Sequence, residues 1–191
     1  MNNITTENFY GHFLEIVKEL KLAEYKDCFH LTTFLKKKIN EYITERGYSF
    51  TNEYYRIDTI AWEKIIPDDM TIKEGKDHNM SLYLWELKAA FEYENNKYEW
   101  LDELVKLSYI KCPLKVIITY NYCDKRKDEK LGDTAKIEFG KSLLKQIGTL
   151  DSREEYLIII GNACAKESKI EYTDFGYRGY VLKGDTITPL Q

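Results

Sequence analysis

Two short, strongly apolar segments constrain the fold of this chain more than any other feature. They read Leu-Lys-Val-Ile-Ile-Thr-Tyr at Leu114–Tyr120 and Glu-Tyr-Leu-Ile-Ile-Ile at Glu155–Ile160, and both patterns predict strands of a core sheet. A helical pattern separates them, from Thr134 to Ile147, and Gly148 follows as a helix stop. Because buried strands that alternate with helices need cover on both faces, the sequence predicts an α/β fold.

The rest of the chain extends this sheet. Apolar spacing predicts helices at about 9–20, 25–46 and 100–109, two strands within Tyr48–Glu63, a long strand at Leu82–Tyr93 and a polar loop from Pro67 to about Asn79. The first three strands follow one another through short connections, so we expect an antiparallel meander joined to a parallel part. The expected architecture is a three-layer αβα arrangement around a mixed central sheet.

Composition limits the classes of function. The chain has 191 residues, 43% of them hydrophobic, with three prolines and no repeat, which predicts a single domain over 1–191. Its net charge of -4 argues against a large positively charged surface that binds nucleic acid. The apolar segments are too short to cross a bilayer, and we see no secretory signal. Four cysteines without a C-x-x-C pair predict reduced thiols and a cytoplasmic location. Phosphate-loop, G-x-S-x-G and H-E-x-x-H motifs are lacking.

Charged residues within two of the predicted strands indicate a site. Glu86 and Lys88 interrupt the apolar strand at Leu82–Tyr93, and residues two apart in a strand share a face. Asp58 interrupts the preceding strand, Tyr55–Trp62. If the two strands are neighbours in the right register, Asp58 and Glu86 converge on one point.

Two adjacent carboxylates repel each other, and a hard divalent cation relieves that repulsion. We therefore expect Mg²⁺ or Mn²⁺ to be bound by Asp58 and Glu86, with the Leu87 carbonyl as a further ligand. Lys88 would lie beside the metal, where it would hold or deprotonate an attacking water or stabilise charge on a phosphate.

The strand-borne R-I-D of Arg56–Asp58 and the strand-borne E-L-K of Glu86–Lys88, followed by a helix and an apolar strand, resemble the PD-(D/E)xK nuclease superfamily. The resemblance covers about 25–120 and implies the restriction-endonuclease-like fold, whose helix-strand-strand-strand-helix-strand order matches the predicted one. It also implies Asp58 and Glu86 as metal ligands and Lys88 as the catalytic lysine. The implied activity is metal-dependent hydrolysis of phosphodiester bonds in DNA, as an endonuclease rather than an exonuclease, with a homodimer as a plausible assembly.

Alternatives remain at each position. Glu86 and Lys88 would also suit a structural ion pair, and Asp58 a pair with Arg56. Asp68, in a literal P-D, is a rival first acid that a turn explains better. Many members of the superfamily also have a glutamate near the start of the helix before the first strand. That glutamate has no clear counterpart here, because Glu41 and Glu45 come late in the helix at 25–46. At the level of function, the alternatives are an inactive nuclease-like module that binds nucleic acid or protein, and an unrelated α/β protein.

Overall fold

A computed structural model describes residues 3–19, 28–79, 84–94, 99–122, 132–163, 165–166, 169–170 and 176–190. The helices are α1 (Thr6–Glu19), α2 (Cys28–Glu45), α3 (Asp69–Asp77), α4 (Trp100–Ser108) and α5 (Asp133–Gln146). The strands are β1 (Ser49–Tyr54), β2 (Ile57–Ile65), β3 (Leu84–Tyr93), β4 (Leu114–Tyr122), β5 (Glu155–Ala163), β6 (Ala165–Lys166), β7 (Lys169–Ile170), β8 (Arg178–Lys183) and β9 (Thr186–Pro189).

Seven strands form one mixed sheet in the order β1-β2-β3-β4-β5-β8-β9, and β6 and β7 form a separate two-stranded sheet. The pairs β1-β2 and β2-β3 are antiparallel, whereas β3-β4 and β4-β5 are parallel. The predicted meander and the predicted parallel part are therefore confirmed. β8 and β9 extend the sheet as an antiparallel hairpin beyond β5.

Helices cover both faces of this sheet and produce two separate cores. On one face, α1 and α2 pack on the strands through aromatic and aliphatic side chains such as Phe9, Phe13, Leu35 and Ile39. On the other face, α4 and α5 contribute Trp100, Leu104, Leu107, Ile137 and Leu144. This gives the three-layer αβα arrangement that the alternation of strands and helices predicts.

The polar segment after β2 differs from its prediction. Instead of a loop from Pro67 to Asn79, it contains α3, whose N-cap is Asp68. The Asp68 carboxylate accepts a hydrogen bond of 2.8 Å from the backbone N–H of Thr71, and that bond lowers the pKa of Asp68. Asp68 is thus explained by capping and is no longer a rival for the first acid. Among the described residues, no helix has the length and apolar character needed to span a membrane.

A β-bulge sets the register between β2 and β3. Ala61 pairs with Ala89, but the next residue, Trp62, pairs with Leu87, so Lys88 is the extra residue on β3. On either side of the bulge the pairing is regular: Thr59 lies opposite Phe91 and Glu63 lies opposite Glu86. This register decides which charged side chains meet.

Candidate functional site

The register separates the two acids that the sequence brings together. Thr59 is paired with Phe91, so Asp58 is level with Glu92 and lies six residues along β3 from Glu86. At about 3.3 Å per residue, that separation is about 20 Å, far too long for two ligands of one cation. The prediction that Asp58 and Glu86 converge is therefore wrong, and so is a shared metal site that adds the Leu87 carbonyl.

Glu86 and Lys88 instead form an ion-pair cluster at the far end of β3. Lys88 Nζ lies 2.8 Å from Glu86 Oε2 and 2.6 Å from Glu63 Oε1. Burial opposes the lysine's charge, but the hydrogen bonds to Glu63 and Glu86 outweigh it and raise the pKa of Lys88. The predicted proximity of Glu86 and Lys88 is confirmed. Their contacts are those of the structural ion pair, with Lys88 placed by the bulge.

Asp58 meets a different acid, Glu92, near the carboxyl end of β3. The backbone N–H of Tyr93 donates a 2.9 Å hydrogen bond to Asp58 Oδ2, which fixes the carboxylate beside the strand. The side chain of Glu92 is only 2% exposed, and it lies near enough to Asp58 for that carboxyl group to help raise the pKa of Glu92. Two acids from neighbouring strands therefore converge here, with Glu92 in place of Glu86.

One lysine connects this pair to the rest of the fold. Lys106 Nζ, from α4, lies 2.7 Å from Glu92 Oε1 and is also paired with Glu103, one turn earlier on the helix. The same ammonium donates a 2.7 Å hydrogen bond to the carbonyl oxygen of Arg56. Arg56 has a φ of 68° in the turn before β2, so Lys106 holds the turn that positions Asp58.

We call this cluster of Asp58, Glu92, Glu103 and Lys106 the Asp58–Glu92 site. It contains more acidic groups than basic ones. Three carboxyl groups face one ammonium, so full ionisation would leave two negative charges in a largely desolvated place. The pKa of Glu92 is raised to about 9, above all by burial and in addition by Asp58 and Glu103, against the lowering by Lys106. The pKa of Lys106 is also raised, because its contacts with Glu103 and Glu92 outweigh its burial. The lysine thus keeps its proton, and Glu92 is the acid that takes one up.

These groups have oxygen atoms and excess negative charge that suit a divalent cation. Oε1 of Glu92 is buried and makes no well-directed hydrogen bond, only the close contact with Lys106. Two oxygen-donating carboxyl groups with excess negative charge suit Mg²⁺ or Mn²⁺, which proteins bind through one or two carboxylates together with water and substrate phosphate. The part of the chain that the structure describes holds no group of three or more His, Cys, Asp or Glu residues arranged as a metal site.

The late glutamates of α2 face a groove that Asp58 also lines. Glu41 and Glu45 are exposed and, together with Asp58, line a groove of about 850 Å³ between α2 and β1. Glu41 lies 3.9 Å from Lys37 and 3.6 Å from Lys38, as surface ion pairs do.

A second polar cluster lies at the carboxyl ends of β4 and β5. Asp133, at the start of α5, accepts hydrogen bonds of 2.6 Å from Asn121 Nδ2 and 2.8 Å from Tyr180, and it forms an ion pair with Arg178. Burial would raise the pKa of Asp133, but the bonds from Arg178 and Tyr180 outweigh it and lower that pKa. Lys136, one turn further along α5, lies beside this cluster.

Comparisons of the chain with protein-family models, with curated proteins and with solved structures found no match.

Proposed function

We propose that this protein is a metal-dependent nuclease that hydrolyses phosphodiester bonds in DNA, and that the Asp58–Glu92 site is its active site. The observation that supports this proposal is the convergence of two carboxyl groups from neighbouring strands, with a lysine 2.7 Å from one of them. The order α2-β1-β2-α3-β3-α4-β4, which matches the restriction-endonuclease-like core apart from the inserted helix α3, supports it as well. In this proposal Glu92 takes the role that the E-L-K resemblance gives to Glu86, and Lys106 takes that of Lys88.

The chemistry assigns a separate task to each side chain. Asp58 and Glu92 would hold Mg²⁺ or Mn²⁺, which supplies a Lewis acid and an activated water when bound. Tyr93 N–H orients the Asp58 carboxylate, and the carbonyl of Arg56 orients Lys106. Water adds to phosphorus and releases a proton to solvent, the bond to one ester oxygen breaks, and that oxygen leaves with a proton from solvent. The Lys106 ammonium donates hydrogen bonds to the phosphate oxygens as negative charge builds on them.

Paired variants test this assignment. Cleavage of labelled DNA is measured with Mg²⁺ or Mn²⁺ for Glu92→Gln and Lys106→Met, with Glu86→Gln and Lys88→Met as controls from the same sheet. We expect the first two to lose about 10²-fold or more in rate, as removal of a positioned charge typically does. The controls should keep the wild-type rate. A nuclease that depends on Glu86 and Lys88 but not on Glu92 would overturn the assignment, and wild-type protein without any cleavage would overturn the activity.

One observation favours a second function, a nuclease-like fold that binds nucleic acid or protein without cutting. Lys106 already neutralises part of the charge that a cation would neutralise, as in a purely structural site.

An RNA substrate in the same assay separates DNA from RNA specificity. We also propose that the protein forms a homodimer and that it is cytoplasmic. Sedimentation of the purified chain tests the dimer.

A further inference from the structure

Lys136 is an ammonium whose contacts with the described residues are all with uncharged groups. Its Nζ lies 3.4 Å from Thr119 Oγ1, 3.3 Å from the carbonyl oxygen of Tyr120 and 3.4 Å from Asn121 Oδ1. It also lies 4.8 Å from the ring centroid of Trp100, the first residue of α4. The three oxygens are neutral and their contacts are long, so none of them balances the charge of the ammonium.

Among the described residues, Asp133 is the carboxylate that acts on the charge of Lys136, and it is already engaged. Asp133 is in contact with Arg178, Tyr180 and Asn121, and Lys136 forms no ion pair with any residue that the structure describes. Asn121 points its amide nitrogen at Asp133 and its oxygen at Lys136, so this side chain is held in a fixed orientation. A half-buried cation without a partner is costly, and an anion bound from solution would remove that cost.

This lysine lies on the same face of the sheet as the Asp58–Glu92 site. Glu92 on β3 is level with Ile117 on β4, and Thr119 is two residues further along the same face. With strands about 4.8 Å apart and about 3.3 Å per residue, the Cα atoms of Glu92 and Thr119 are about 8 Å apart. That spacing suits neighbouring phosphates of one polynucleotide backbone, or one phosphate beside the carboxylate pair.

We propose that Lys136, held against Thr119 and Asn121 at the carboxyl end of β4, is a phosphate-binding residue that positions the nucleic-acid backbone beside the Asp58–Glu92 site. The inference extends the proposed function, since it states where a substrate phosphate binds. It does not require cleavage, because phosphate binding at Lys136 needs only the ammonium.

Desolvation gives this lysine an unusual pH dependence. Burial lowers the pKa of Lys136 to about 8, against the opposing effect of Asp133. The elements around it carry further charged or titratable groups, among them Arg178 and Tyr180 on β8, Glu103 and Lys106 on α4, and Glu92 on β3, each of which is held in the contacts described above. As the pH rises from 7 to 9, the charged fraction of Lys136 falls from about nine tenths to about one tenth.

Fluorescence anisotropy of a fluorescein-labelled DNA oligonucleotide measures the DNA affinity at pH 7 and pH 9, in EDTA so that no metal ion is bound. Wild type should bind about tenfold more weakly at pH 9. Lys136→Arg should lose much less affinity than wild type between the two pH values, because a guanidinium stays charged and only the partial ionisation of Glu92, whose pKa is about 9, remains. Lys136→Met should bind about tenfold more weakly than wild type at pH 7 and lose no more than Lys136→Arg between the two pH values. Lys145→Met, which removes an exposed lysine of the same helix, is the matched control and should behave as wild type.

Calorimetric titration with inorganic phosphate completes the design. Equal DNA affinity for wild type and Lys136→Met would overturn the inference even if the protein cleaves DNA. Binding that depends on Lys136 without cleavage would support the inference and overturn the nuclease activity. If no DNA binds, phosphate binding that is lost in Lys136→Met would still support an anion site, and no phosphate binding would overturn it. Should Lys136→Met fail to fold, the pH dependence of wild type against Lys136→Arg decides the question.

Discussion

Replacing Glu92 by glutamine in metal-free buffer should stabilise the protein at neutral pH. A pKa of about 9 in the folded state, against an ordinary value of 4.5, means that the protein takes up a proton at Glu92 when it folds. The contribution of this carboxyl to stability is fully present below pH 4.5 and is lost as the pH rises toward 9. Glutamine has nearly the shape of the protonated acid and needs no proton, so the variant avoids that loss.

The size of the effect follows from the distance between the working pH and the unfolded pKa. At pH 7, uptake of a proton by a group with an ordinary pKa of 4.5 costs at most about 3 kcal/mol. The nearby Lys106 ammonium reduces this figure, so we expect Glu92→Gln to gain about 1 to 3 kcal/mol at pH 7. At pH 4 the two proteins should be equally stable.

Urea unfolding at pH 4 and pH 7 measures both values. Glu86→Gln is the matched control, because its side chain is 51% exposed on the same strand and its partner Lys88 keeps a contact with Glu63. That variant should stay within about 0.5 kcal/mol of wild type. A loss of several kcal/mol in Glu92→Gln at pH 7 would refute the reasoning, because it would mean that Glu92 is ionised in a buried pair with Lys106.

Three further predictions concern metal binding and the frame around the site. Mn²⁺ at ten times its dissociation constant should stabilise wild type by about 1.4 kcal/mol and Glu92→Gln by much less, which melting curves measure; no shift in wild type would contradict the metal site. Gly179→Ala should destabilise the protein, because its Cβ would lie 2.7 Å from the Tyr10 ring, whereas Gly11→Ala in α1, with nothing within 4 Å, should be neutral or gain up to about 1 kcal/mol in urea unfolding. Asp68→Ala should cost about 1 kcal/mol through the lost cap of α3, and an unchanged urea midpoint would contradict that role.

The order of strands and helices was predictable because it depends on local patterns. Hydrophobic spacing and β-branched runs identified the core strands and the helices that cover them. α3 was missed because Gly75 is its only buried residue in the described segment, so it shows no apolar stripe. The cap at Asp68, three residues before Thr71, was the available signal.

The site was only half predictable, and the reason is the register. Asp58 was recognised as an acid within an apolar strand, but its partner depends on pairing between strands that no local pattern specifies. Glu92, inside the fully buried end of β3, was the stronger signal for a desolvated acid than the half-exposed Glu86. Lys106 could not have been identified, since its role depends on where α4 crosses the sheet.

The bulge at Lys88 has a consequence for how this hairpin tolerates changes in length. Lys88 is the unmatched residue, and it separates the first part of β3, which contains Glu86, from the last part, which contains Glu92. Residues added or removed between β2 and β3 would shift the pairing of Glu63 with Glu86, whereas Thr59 and Phe91 are also held in register by β1 and β4 on either side. The segment between the two strands is therefore where the chain can accept an inserted peptide, such as a tag or a reporter, while the two carboxyl groups stay together.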